Sequence, residues 1–291
     1  SYIYEDDRNF SLEHIRQEYP VYGTTDYRHP AIEILQKNGS RISEFVYEGY
    51  EITAGKVKLQ GLPATYTESD EEAMTLRVYL KDALTGVLLE LLYTVFSEYN
   101  AIARSVCVKN AGTETVHLLN VMSLSLDLPD QDYVWMQLSG AWARERYIKE
   151  RTLEQGITAI DSRRGNSSHM VLRRKHTNEY RGETIGFSLI YSGNFRIQAE
   201  VDTHNVTRVT AGINPEGFDL KLEAGEMFQT PEAVMVYSEN GLNGMSQTFH
   251  KLYGRRLARG YWRDRCRPIL INNWEATYFD FTEERLVANV A

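Results

Sequence analysis

Cysteine is scarce: 291 residues hold only Cys107 and Cys266, which excludes a disulfide-stapled scaffold and fits a reduced, cytoplasmic setting. Long apolar runs are missing too. No stretch approaches the ~20 residues of a membrane-spanning helix, and Ser1 is not followed by the basic stretch and apolar core of a secretory leader. Positive charge is in deficit, with a net charge of −8. The densest basic run, Arg173-Arg174-Lys175-His176 with Arg181, is too small for a phosphate footprint, so neither nucleic acid nor a membrane surface is expected as a partner. The 7 histidines are scattered without paired Cys/His spacing, so no zinc site and no other cofactor is expected. Nucleophile elbow, Walker loop, Rossmann fingerprint and HExxH helix are all absent.

What the chain does have is tyrosine, 19 of them. Tyrosine suits half-buried sheet surfaces, and it also suits carbohydrate, where a ring packs on a sugar face. Hydropathy alternates with a period near two through Thr75–Leu80 and Val116–Leu126. Lys81–Gly86 reads as the turn joining Thr75–Leu80 to Val87–Phe96, and Lys109–Thr113 as the turn joining Ile102–Val108 to Val116–Leu126. Further strands are expected at Arg41–Tyr50, Gly140–Glu150, Ile157–Arg163, Gly186–Ser192, Phe195–Asp202, Thr207–Ile213, Phe218–Leu222 and Ala233–Ser238. Ser192-Gly193-Asn194, Asn214–Gly217 and Ala224-Gly225-Glu226 punctuate them. More than ten short strands without intervening helices predict a mainly β fold, a large antiparallel β-sandwich.

Helix enters at two ends. Residues 9–20 suggest a helical turn starting at Ser11 and closed by Pro20. After Asn240-Gly241 the apolar positions Leu242, Met245, Phe249, Leu252 and Leu257 form a helical stripe, with Lys251, Arg255 and Arg256 where cations complement the dipole. This helix reads as a linker. Beyond it, Ile269-Leu270-Ile271 reads as a strand ending in Asn272, Asn273, Trp274 and Glu275. Thr282 then caps a helix that carries Glu283 and Glu284 in its first turn. Strand, polar and aromatic strand end, then helix is how a β/α unit presents a binding rim.

Few residues nominate chemistry. In a single strand, Trp142, Arg144 and Arg146 of GAWARER would share one face, offering a ring and two forked donors to a sugar or carboxylate, or to an interface. Ser162–His169 reads as a donor-rich turn. Asp6-Asp7 and Asp26-Tyr27-Arg28 lie in the irregular N-terminal region, and the paired aspartates read as a solvated turn, though free carboxylates also bind sugar hydroxyls. Glycoside hydrolysis needs two opposed carboxyl groups, and no such pair is nominated within the chain. Glu275 stands alone and reads as structural.

Taken in order, SLEHIRQEYPVYGTTDYRHPA, GLPATYTESDEEAMTLRVYLKDALTG, YTVFSEYNAIARSV, SLSLDLPD, GAWARER, RGNSSH, YSGNF, GINPEGFDLKLEAGEMFQTPEAV and RPILINNWEATYFDF resemble the N-terminal part of the large α-galactosidases of glycoside hydrolase family 36. The resemblance implies a β-supersandwich over 1–240, a linker over 241–266, and over 267–291 the first β/α unit of a (β/α)8 barrel that is incomplete here. It implies retaining hydrolysis of terminal α-linked galactose in oligosaccharides such as melibiose and raffinose. It also implies a homo-oligomer, a tetramer. Trp274 matches a tryptophan lining the galactose pocket, Trp142 matches a ligand-site position, and Asp7 or Asp6 matches an aspartate that reaches the pocket, in a neighbouring subunit. The family's galactose-gripping aspartate-aspartate-glycine-tryptophan segment and both catalytic aspartates fall outside this sequence, so no catalytic residue is expected in the chain. The alternative is a standalone carbohydrate-binding or assembly domain. The unclosed β/α unit argues against it, since a finished domain has no use for one.

Overall fold

The computed structural model describes Leu12 and residues 15–290. These fall into two compact units, residues up to Leu257 and residues from Ala258.

In the first unit, sixteen strands follow one another: β1 (Ile32–Leu35), β2 (Phe45–Ala54), β3 (Ala73–Asp82), β4 (Val87–Phe96), β5 (Ala101–Asn110), β6 (Val116–Leu128), β7 (Val134–Ala141), β8 (Arg144–Thr152), β9 (Gly156–Asp161), β10 (His169–Arg173), β11 (Thr184–Ile190), β12 (Phe195–Val201), β13 (Thr207–Ile213), β14 (Leu220–Leu222), β15 (Met227–Gln229) and β16 (Glu232–Ser238). They build a six-stranded sheet, β1-β6-β13-β12-β9 with β14 beside β6. The second sheet has ten strands, β2-β3-β4-β5-β16-β11-β10-β7-β8 with β15 beside β5. The pairings are antiparallel, as the short alternating segments predict.

Alternation fixes which side chains fill the sandwich. Ile185, Phe187 and Leu189 of β11 join the main core with Trp135, Leu124 and Ile197. A second core gathers Ile32, Ile34, Leu89, Val108 and Leu118. On β11 the intervening Gly186, Ser188 and Ile190 face the other way and are also buried, because α1 (Gly241–Arg256) lies across them. Met245, Phe249 and Leu252 of α1 form a third core with Ile190, Val234 and Val236. Gly186 permits this approach: a Cβ there would stand 2.6 Å from the Phe249 ring and 2.7 Å from the Met245 sulfur. The helix expected as a linker is thus part of the sandwich's third layer, and it ends at Arg256. β8, at one edge of the larger sheet, is exposed throughout and carries Arg144, Glu145, Arg146, Lys149, Glu150 and Arg151. A charged edge of this kind resists pairing with another chain.

Three expectations change. Gly140–Glu150 is not one strand, since β7 and β8 are the two arms of a hairpin in which Ala141 faces Arg144. The helical turn expected from Ser11 begins outside the described residues, and Ile15–Pro20 is irregular. In the second unit Ile269–Ile271 forms no strand. The segment is irregular, with Ile269 95% and Leu270 85% exposed. A barrel strand is held by ladders to parallel neighbours, and residues 258–290 contain no other strand to supply one. What does form there is a single turn, α2 (Trp274–Thr277), and α3 (Glu283–Val290). The Thr282 hydroxyl caps α3 as anticipated, accepting the Arg285 N–H at 3.3 Å.

Candidate functional site

Trp142 stands at the tip of the β7–β8 hairpin, 89% exposed. The loop is only two residues, Trp142 and Ala143, and Ala143 takes φ 62°. Three residues on, Arg146 takes φ 59° where the register slips between Ser139 and Ala141. Trp142, Arg144 and Arg146 therefore do not share one strand face: a turn and a bulge separate them. The tip is firmly mounted. Gly140 and Gly165 meet backbone to backbone, so closely that a Cβ on Gly165 would lie 2.2 Å from the Gly140 carbonyl oxygen. Beneath them the Asn166 side chain accepts from the Ser139 hydroxyl at 2.6 Å and donates to the Asp161 and Arg163 carbonyls at 3.2 and 2.9 Å. The polar stretch Ser162–His169 is thus the platform on which the hairpin rests. A ring held out on such a mount offers a flat apolar face with little ordering cost on binding.

Trp274 belongs to the second unit. Its N–H donates to the Asn272 side chain at 3.0 Å, which starts α2. The Asn273 side chain donates to the Thr277 hydroxyl at 2.8 Å. The indole packs edge-on against Tyr278 and Phe279, with centroids 5.4 and 4.8 Å away, and stays 43% exposed. Trp274 thus sits in an aromatic cluster at the start of a helical turn rather than at a strand end. Glu275, in the first turn of α2, is exposed. Rings and amides of this kind bind a neutral polar ligand, whereas cleaving a glycosidic bond calls for paired carboxyl groups. Asp6 and Asp7 lie outside the described residues. Among the described residues no group of three or more His, Cys, Asp or Glu is placed to hold a metal ion.

The sequence gives no hint of a buried charge cluster in the sandwich. Asp26 and Arg28, in the turn-rich segment before β1, are buried, 7% and 6% exposed. Arg28 grips Asp26 through Nε and Nη2 at 2.8 and 3.0 Å, and its Nη2 also donates to the Ile15 carbonyl at 2.6 Å. From β13, Arg208 reaches the same Asp26 at 2.8 Å and takes Asp127 of β6 in a two-point contact. Burial acts to raise the Asp26 carboxyl, but hydrogen bonds from Arg28 and Arg208 and their charges outweigh it and hold the group below its usual range. Gln17 adds its amide to Asp26 and its backbone N–H to Asp127. The cluster bolts residues 15–30 to the six-stranded sheet. Single charged residues far apart in sequence give no local signal of such a site.

The sequence signature of the glycosyl hydrolase family 36 N-terminal domain matches residues 2–223, and the melibiase signature matches residues 227–291. The chain is 53% identical over 290 residues to α-galactosidase AgaA of Geobacillus stearothermophilus, covering 98% of this chain and 40% of that protein. It is 44% identical over 285 residues to α-galactosidase Mel36A of Lactobacillus acidophilus, covering 96% of this chain and 39% of that protein. A crystal structure of an AgaA variant in complex with raffinose superposes with a TM-score of 0.94 at 50% identity, covering 99% of this chain and 41% of that one. A further AgaA variant, in complex with stachyose, superposes equally well. The chain thus spans about 40% of the length of the relatives it matches. The antiparallel sandwich, the ordered signatures and the matching backbone agree, and the chain belongs to glycosyl hydrolase family 36.

Proposed function

We propose that the chain serves as the N-terminal part of an α-galactosidase that removes terminal α-linked galactose, with retention, from oligosaccharides such as raffinose and melibiose. The observation carrying this reading is the 53% identity to an α-galactosidase over 98% of the chain. In this reading residues 1–240 form the supporting sandwich, 241–266 the connection and 267–291 the opening of the catalytic barrel. Trp274 lines the galactose pocket and Trp142 contributes to the ligand site, with Asp6 or Asp7 reaching a pocket from a neighbouring subunit of a homotetramer in the cytoplasm. The nucleophile and the acid/base, which a retaining enzyme holds about 5–5.5 Å apart, come from barrel strands beyond Ala291.

The test is hydrolysis of a chromogenic α-galactoside by this chain alone and by a chain continued through a full barrel. Turnover is expected from the second and none from the first. Turnover by the first would overturn the placement of the carboxylates, and silence from the second would overturn the activity. The exposed Trp142 on its rigid tip favours one other reading, a carbohydrate-binding or assembly domain without catalysis. Calorimetry with galactose and raffinose separates the two, because saturable heat with this chain alone supports the binding role.

A further inference from the structure

A cleft of about 460 Å³ opens between α1 and the adjoining strands β7, β8, β10 and β11, within the range of small-molecule sites. Its walls are apolar: Leu138, Ile148, Phe187, Met245 and Phe249 line it. Polar side chains break that lining, Gln137, Glu179, Ser246 and His250 among them, and three others set what it can bind. The Tyr253 hydroxyl oxygen is buried and makes no hydrogen bond of good geometry, its one polar neighbour being the Ser188 hydroxyl, although a buried hydroxyl left unpaired costs ~1–3 kcal/mol. Arg146 lines the same cleft from its left-handed bulge on β8, and no described residue forms an ion pair with it. His169 lies between two hydroxyls, with Ser167 Oγ 3.1 Å from Nδ1 and Ser188 Oγ 2.9 Å from Nε2. Burial, then the nearby Arg146 charge, lowers the pKa of His169, which favours the neutral imidazole, while Arg146 carries a permanent positive charge into the cleft.

We infer that this cleft is a ligand site that takes a small organic monoanion with an apolar body, such as a medium-chain carboxylate. The apolar body lies along Leu138, Ile148 and Phe249. The carboxylate accepts charge-assisted hydrogen bonds from Arg146 and the orphaned Tyr253 hydroxyl, which thereby gains the partner it lacks. Charge complementarity sets the choice of ligand. A cation would face Arg146 with only the exposed, solvated Glu179 as counter-charge, and a neutral sugar would leave most of its hydroxyls against hydrocarbon.

The experiment uses the 291-residue chain and the fluorescent anion 8-anilinonaphthalene-1-sulfonate, displaced by octanoate or by 1-octanol. Saturable dye binding is expected, with octanoate displacing the dye at a concentration about tenfold lower than octanol, since a charge-assisted contact distinguishes them. Arg146→Glu should abolish that difference, and Tyr253→Phe should reduce it. Lys149→Glu, a charge reversal on the same strand outside the cleft, should preserve it. Equal displacement by octanol and octanoate, an undiminished preference in Arg146→Glu, or no saturable dye binding would each overturn the proposal. Melting curves of all variants keep a folding defect from being read as lost binding.

Discussion

Arg208 and Asp127 face each other across neighbouring strands of the six-stranded sheet and make two parallel contacts, Nε to Oδ1 at 2.7 Å and Nη2 to Oδ2 at 2.8 Å. Both side chains are 1% exposed. Two-point geometry makes this the strong form of the interaction. Removing one partner of a buried pair strands the other. Arg208→Ala should therefore cost ~3–5 kcal/mol, read as a lowered midpoint in urea unfolding. A loss under 1 kcal/mol would show that water repairs the site.

Acid should release the same cluster. The folded Asp26 carboxyl lies below its usual value, whereas in the unfolded chain it titrates near ~3.9. The folded state therefore binds fewer protons in that range. Its stabilisation is fully present above about pH 4 and is withdrawn as pH falls below it toward the folded value. Urea unfolding at successively lower pH should show stability dropping through that window, and Asp26→Asn should flatten the drop. An identical slope in the variant would assign the acid lability to other groups.

Helix α1 depends on the absence of a side chain at Gly186. A Cβ there collides first with the mobile ends of Phe249 and Met245, so Gly186→Ala forces a modest shift while Gly186→Val forces a larger one. Valine is expected to destabilise by ~1–3 kcal/mol and to speed hydrogen exchange along α1 more than in β12 or β13. Uniform acceleration across the sheets would point instead to a general loss of packing.

Trp142 should matter for binding rather than for bond cleavage. In a chain continued through the barrel, Trp142→Ala should raise KM for raffinose by roughly fivefold, about 1 kcal/mol of lost ring contact, and leave kcat unchanged. Asn166→Ala loosens the mount beneath the hairpin and should move KM in the same direction by less. A fall in kcat with KM unmoved would place Trp142 nearer the reacting atoms than the reading allows.

Sheet and helix were legible because their signals are local. Thr207–Ile213 alternates and is β13, and the stripe Met245–Phe249–Leu252 is the buried face of α1. GAWARER was misread because its turn carries no glycine where φ is positive, and alanine and arginine take those positions instead. Strand β10 was hidden behind a polar loop. The strand expected at Ile269–Ile271 reflects a different limit. Its apolar residues are those of a parallel strand, but strand geometry depends on neighbours, and hydropathy along one segment says nothing of whether they are present. Sites built from distant parts of the chain were the least legible. Asp26 and Arg208 meet across 182 residues, and the polar groups of the cleft come from β8, β10 and α1.

That same separation sets an order of events during synthesis. The segment around Asp26 leaves the ribosome well before its partners, since Arg208 of β13, which binds Asp26, is made 182 residues later. At about 5–20 residues per second the wait is roughly 10–40 s. Through that interval Asp26 and Arg28 remain hydrated on an undocked segment. Residues 15–30 are therefore fastened only after β13 is made, and a slow or paused ribosome prolongs the time in which a protease can reach them.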